Sequence, residues 1–230
     1  MTKNPIFVAL DTPDLSKAFA LASSVKPYVG GYKVGLEFIT ANGPDGIRKI
    51  VELGMPVFAD VKFHDIPNTV AGAARELAKV GAALFNVHAS GGAAMMRAAR
   101  EAAPHARIIA VTVLTSMNDG DLEAVGQERP ADAQVTRLAK LAKESGLDGV
   151  VCSPREIGLV RKACGPDFLI VTPGVRPKGA DLNDQSRVMT PAEAARAGAN
   201  ILVVGRPITA ASDPAAAARA IFDEIVAVSA

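Results

Sequence analysis

Short, continuously apolar runs alternate along the chain with longer Ala-rich stretches. Eight runs carry the β-branched content expected of strands: residues 6–10, 31–34, 57–61, 84–87, 108–113, 149–152, 168–171 and 201–204. None alternates apolar with polar, as a half-exposed strand would. Continuous runs fit parallel strands covered on both faces. The intervening stretches open with helix-start signals. Thr12-Pro13, Ser153-Pro154, Thr190-Pro191 and Asp213-Pro214 each set a capping oxygen before a proline at the first helical position. Ser153 with Glu156, and Thr190 with Glu193, add capping-box spacing. Strand, loop and helix repeated eight times predict a (β/α)8 TIM barrel. An open doubly wound sheet would carry a Gly-rich turn after its first strand, where this chain has Leu10-Asp11-Thr12-Pro13.

No Gly/Ser linker or shift in composition divides the 230 residues, so one domain over 1–230 is expected. With 49% hydrophobic and 21% charged residues, disorder is excluded. A net charge of +1 argues against broad electrostatic binding of nucleic acid and leaves room for a local cationic site. Cys152 and Cys164 have neither a metal-binding nor a disulfide spacing and read as buried, reduced thiols. The apolar run at 6–10 stops at Asp11, which fits a strand rather than a leader, and no run approaches the length of a membrane span. The expectation is a cytoplasmic protein without membrane or nucleic-acid partners.

In a barrel of this kind chemistry belongs where the strands end. The segment Asp60-Val61-Lys62-Phe63-His64-Asp65 ends the third run. Asp60 and Lys62 are two apart, so both side chains face the barrel mouth while Val61 faces the helices. Such a concentration of charge at the end of a buried strand marks a functional site. Lys33 ends the second run and either snorkels or pairs. If it points into the mouth it meets Asp60, and Lys33, Asp60, Lys62 and Asp65 alternate in sign. Asp11 is either an acceptor for sugar hydroxyls or a carboxylate at a helix start. After the last two strands come Thr172-Pro173-Gly174-Val175-Arg176 and Val204-Gly205-Arg206. Barrels often bind phosphate there, and Arg offers a bidentate fork. The polar stretch running on to Gln185 reads as a lid or as an ordinary surface loop. His64 should face away from Lys62, His88 either fills the core or lines the mouth, and His105 should be exposed. No pair of histidines has metal-ligand spacing.

Asp60-x-Lys62-x-x-Asp65-Ile66-Pro67-x-Thr69 resembles the signature of the orotidine 5′-phosphate decarboxylase family. The likeness extends to Leu10-Asp11, Asn86-Val87-His88-Ala89, Leu114-Thr115-Ser116, Thr172-Pro173-Gly174-Val175-Arg176-Pro177, Asp184-Gln185 and Val204-Gly205-Arg206-Pro207. The resemblance implies a homodimeric, cofactor-free enzyme that converts orotidine 5′-phosphate to uridine 5′-phosphate, the last step of pyrimidine nucleotide synthesis. By the same resemblance, Lys62 would protonate C6 of the base and Asp60 would lie beside the departing carboxylate. Lys33 and Asp65 would complete the charge network. Asp65 and Thr69 would reach the neighbouring subunit's site, and Ile66 would contact substrate. Asp11 and Lys33 would hold ribose hydroxyls, Thr115 and Ser116 would approach the base, and Pro173 would line the pocket. Gln185 would bridge base and phosphate, with Arg176, Gly205 and Arg206 at the phosphate. No metal is expected.

Two rivals share part of this pattern. The Mg²⁺-dependent 3-keto-L-gulonate 6-phosphate decarboxylases and hexulose-phosphate synthases share Asp-x-Lys-x-x-Asp, with a Glu where this chain has Lys33. A second cation there would repel Mg²⁺. A non-enzymatic sugar-phosphate sensor would need neither a lysine at the reacting carbon nor alternating charges.

Overall fold

The computed structural model describes residues 4–177 and 189–229. Eight parallel strands close into a barrel in chain order, β1 pairing with β8. The first half comprises β1 (Ile6–Ala9), α1 (Leu15–Val25), β2 (Gly31–Val34), α2 (Leu36–Val51), β3 (Val57–Phe63), α3 (Pro67–Lys79), β4 (Leu84–His88) and α4 (Gly92–Ala102). The second comprises β5 (Arg107–Val111), α5 (Asp119–Ala124), α6 (Ala131–Glu144), β6 (Gly149–Val151), α7 (Ile157–Cys164), β7 (Leu169–Pro173), α8 (Pro191–Arg196), β8 (Ile201–Val204), α9 (Arg206–Thr209) and α10 (Pro214–Ser229). The predicted TIM barrel and all eight strands are present, each within two residues of its expected ends.

Strand alternation splits the apolar residues into two cores. Phe7, Ala9, Phe58, Leu84, Ile109, Leu169, Val171, Ile201 and Val203 fill the barrel interior. Their sequence neighbours pack outward against the helices, which explains why the runs read as continuously apolar. The packing is tight at Gly31, where a Cβ would lie 2.5 Å from the Phe7 ring.

Helix capping follows the sequence signals with one correction. Ser153, Thr190 and Asp213 cap as expected, the first two with reciprocal capping boxes. Ser153 opens a short 3-10 turn, Pro154–Glu156, that leads into α7. At the first helix Thr12 is not the cap. Asp14 accepts the Lys17 N–H at 3.1 Å, and the Thr12 hydroxyl only accepts the Asp14 N–H at 3.3 Å. Pro13 therefore lies in the connecting loop rather than at the first helical position.

Charged side chains at the N-terminal ends of the strands act as clamps. Arg100 donates to Asp148 at 2.8 Å, and Asp148 accepts the Ile108 N–H at 2.7 Å. Arg161 donates to the carbonyls of Phe168 and Gly198 and to the Asn200 side chain. Conserving shape at that end is a matter of stability, whereas the opposite end is where barrel chemistry sits. Cys152 and Cys164 are buried free thiols, and burial pushes the Cys164 thiol up.

Candidate active site at the C-terminal mouth

The C-terminal ends of β1, β2 and β3 bring four charges into a line. Asp11 Oδ1 lies 2.7 Å from Lys33 Nζ, which lies 3.7 Å from Asp60 Oδ2. Asp60 Oδ1 lies 2.6 Å from Lys62 Nζ. Lys33 is 7% exposed, so its ammonium is nearly withdrawn from water and held by two carboxylates. Of its two readings, paired rather than snorkelling is the outcome. Asp11 likewise serves Lys33, not a helix start. Gly35 makes room for this pair, because a Cβ there would stand 2.8 Å from both Asp11 Oδ1 and Lys33 Nζ.

Local backbone geometry gives Lys62 its position. Along β3 and β4, Ala59 stands opposite Phe85 and Phe63 opposite Val87. Three residues, 60 to 62, therefore face the single residue Asn86, a bulge with two extra residues. Because the excess is even, the alternation of faces survives: Asp60 and Lys62 point to the mouth while Val61 and Phe63 pack outward. Lys62 takes a left-handed backbone, φ 52°, the sole non-glycine residue with positive φ among the described residues. That conformation costs about 1–2 kcal/mol for an L-residue and is typical of functional sites. Asn86, fully buried on β4, spans the bulge. Its amide donates to Asp60 Oδ1 at 2.7 Å, and its oxygen accepts the Lys62 N–H at 2.8 Å.

Lys33, Asp60, Lys62, Thr115 and Pro173 line a cavity of about 210 Å³, closed underneath by Phe58, Val171 and Val203. Its cationic and anionic rim over an apolar floor suits a flat polar ring with charged substituents. Ser116 is exposed on the rim beside Thr115. Across the mouth, Arg176 is buried after β7, and its Nε has no hydrogen-bond partner among the described residues. Burial, and then the nearby Arg206, weigh against the Arg176 charge. Two guanidiniums lie close enough here for each to bear on the other's charge, which makes this side of the mouth cationic. Gly205 joins β8 to Arg206 at the start of α9. Gln185 lies outside the described residues.

Asp65 does not join the alternating line within one chain. Its carboxylate accepts the Ile66 N–H at 2.7 Å, and Asp65, Ile66 and Thr69 are all exposed at the start of α3, Ile66 by 67%. His64 is exposed and stacks on His88, ring centroids 5.5 Å apart. Burial, then His64 and Lys62, hold the His88 imidazole below its usual value, with Asp60 opposing them. His105 is exposed, as expected. No trio of His, Cys, Asp or Glu is placed to hold a metal among the described residues. Nor is any helix among them long and apolar enough to cross a membrane.

Sequence reading gave Asn86 no role. The signal was present, a lone amide in the apolar run 84–87, but only the bulge explains it.

A closed (β/α)8 barrel with a carboxylate–ammonium line at its C-terminal mouth and two arginines after β7 and β8 defines a barrel enzyme for a phosphorylated substrate. Residues 4–221 match the orotidine 5′-phosphate decarboxylase / HUMPS family, and the chain belongs to that family. It is 60% identical to the orotidine 5′-phosphate decarboxylase of Moorella thermoacetica, over 97% of this chain and 92% of that one. With the enzyme of the same name from Paramagnetospirillum magneticum it shares 53% identity, over 96% and 98% of the two chains. The crystal structure of orotidine 5′-phosphate decarboxylase from Lactobacillus acidophilus superposes with a TM-score of 0.85 at 39% identity, covering 97% of this chain and 99% of that one.

Proposed function

We propose that this chain is a carboxy-lyase that converts orotidine 5′-phosphate to uridine 5′-phosphate and CO₂ in pyrimidine nucleotide synthesis. The observation that carries the reading is the line Asp11–Lys33–Asp60–Lys62 over the mouth cavity. The names of the relatives support the same substrate.

In the proposed step the bond between C6 and its carboxylate breaks and CO₂ leaves. The electron pair stays on C6, in the plane of the pyrimidine, where no ring carbonyl delocalises it. Lys62 then delivers a proton from Nζ to C6. The reaction needs no bound electron sink, so electrostatics must carry it. An ammonium about 4 Å from the developing charge contributes roughly 4 kcal/mol at an effective dielectric near 20. That is about three decades of rate, too little alone for a very slow reaction. The remainder is assigned to preorganisation and to the phosphate, whose binding energy helps hold the reacting ring in place.

Lys62 meets these demands because Asp60, 2.6 Å from its Nζ, holds the ammonium in place before substrate arrives. Asp60 sits beside the departing carboxylate, where repulsion adds to the ground state. Lys33 and Asp11 hold ribose hydroxyls. Thr115, Ser116 and Pro173 border the base. Arg176 and Arg206 take the phosphate with Gly205, and Gln185 is proposed to link phosphate and base. The exposed Asp65, Ile66 and Thr69 are proposed to complete the site of a second copy in a homodimer.

The Mg²⁺-dependent rival is disfavoured by donor chemistry. Lys33 Nζ occupies the space between Asp11 and Asp60, where that family would need an acidic ligand. The direct test is the loss of orotidine 5′-phosphate absorbance in chelator with nothing else added. Full activity is expected. Activity that vanishes in chelator and returns with Mg²⁺ contradicts the proposal.

A further inference from the structure

Asn86 is a buried, uncharged side chain that hydrogen-bonds to both members of the Asp60–Lys62 pair. It lies on the interior face of β4, between Leu84 and His88. At the bulge, the Lys62 N–H meets the Asn86 side chain, and its oxygen takes that hydrogen bond. The other end of the same planar amide occupies one lone pair of Asp60 Oδ1, the oxygen that also receives Lys62 Nζ. One rigid group thus fixes the rotation of the carboxylate and the left-handed backbone under the ammonium. Each end has a single chemistry to offer, a donor toward Asp60 and an acceptor toward Lys62.

We infer that Asn86 is a positioning residue for the reaction: its side-chain amide holds Asp60 and Lys62 in the mutual geometry from which Lys62 reaches the reacting carbon. The inference rests on the reading above, in which Lys62 and Asp60 act on substrate. Asn86 is not among the residues that line the mouth cavity, so its part is to position the pair. A purely structural amide would only close the bulge, and its loss would lower stability without altering the chemistry of the pair.

The test compares Asn86→Ala and Asn86→Asp with the parent for kcat, KM and thermal midpoint. Asn86→Ala should lower kcat roughly a hundredfold, the scale expected for a small displacement of reacting groups, and leave KM within about threefold. In Asn86→Asp the introduced carboxylate accepts from the Lys62 N–H but cannot donate to Asp60. Its protonation at low pH restores a donor of the same shape. The titratable groups around it are Asp60 and Lys62, which it contacts, Lys33 and Asp11, which continue the line from Asp60, and His88 on β4 with His64 stacked on it. All are shared with Asn86→Ala, so the ratio of the two variants isolates the new carboxyl. That ratio of kcat values should rise as the pH falls.

A stable Asn86→Ala with kcat within threefold of the parent overturns the inference, as does a ratio independent of pH. Should both variants unfold, the ¹⁵N-labelled parent decides. Its Asn86 side-chain amide should be protected from exchange and should shift when a non-reacting nucleotide analogue binds. An amide that exchanges like an exposed one, or does not shift, overturns the assignment. Activity retained in Lys62→Ala would sink the underlying reading instead, and so separates the two failures.

Discussion

Lys62 turns back onto Asp60, Nζ to Oδ1 2.6 Å, from a backbone that is left-handed at φ 52°. The pair is two residues apart on one strand, yet ordinary pleating does not by itself bring it together. The bulge opposite Asn86 lifts Lys62 out of the ladder while preserving the face on which it points. Strain at this residue is offset by two hydrogen bonds, from its N–H to Asn86 and from its Nζ to Asp60, which hold the ammonium before any substrate binds.

The two arginines should act through the phosphate. Arg206→Ala and Arg176→Ala each remove one charge-assisted contact, worth roughly 1.5–3 kcal/mol. Affinity for the nucleotide should fall about ten- to a hundredfold, while turnover of a nucleoside lacking phosphate changes little. Equal losses on both substrates would show that the arginines only support the loops after β7 and β8.

Asp65 is exposed and pairs with the Ile66 N–H rather than with its own chain's line of charges, and a shared site predicts complementation. Lys62→Ala and Asp65→Ala should each be inactive. In a mixed dimer one site carries both lesions and the other neither. With equal amounts and random exchange, about half the dimers are mixed, which restores roughly a quarter of parental sites. The assay follows decarboxylation after the two variants are unfolded and refolded together. No gain, with mixed dimers demonstrated by mass, assigns Asp65 to a same-chain role.

His88 should make the fold sensitive to acid. Burial, His64 and Lys62 hold its imidazole below 6.5 against the opposing Asp60. In the unfolded chain it takes a proton as the pH drops through about 6.5, in the folded chain only further down. Across that window the unfolded state binds more protons, so stability declines as the pH falls, and above it the effect is absent. Replacing the ring, in His88→Asn, should make the loss of stability between about pH 7.5 and pH 5.5 shallower in urea titrations. Parallel losses in parent and variant would place the acid sensitivity elsewhere.

Much of this was legible in the sequence, for a physical reason. Strands buried on both faces leave unbroken apolar runs, so all eight could be located. Charges at the ends of such runs are costly enough to mark the mouth, so Asp11, Lys33, Asp60 and Lys62 stood out. The bulge could not be read, because it depends on how many residues of β3 face β4, and register is not written in either strand alone. Asn86 was therefore unexplained until its two partners were seen. Asp65 looked like a fourth member of the line because sequence spacing does not record the turn at Ile66-Pro67 that carries it outward. Thr12-Pro13 resembled a helix start, but Asp14, two residues on, competes as a cap and wins.

The central claim is that Lys62 acts on charge that exists only as the C6 carboxylate departs. The measurement that tests it most directly is the decarboxylation rate of Lys62→Ala at saturating orotidine 5′-phosphate, in chelator, beside its affinity for a non-reacting nucleotide analogue. The account predicts at least a thousandfold loss of kcat, about the 4 kcal/mol assigned to the ammonium, with analogue affinity within roughly tenfold of the parent. A kcat within tenfold of the parent would contradict it.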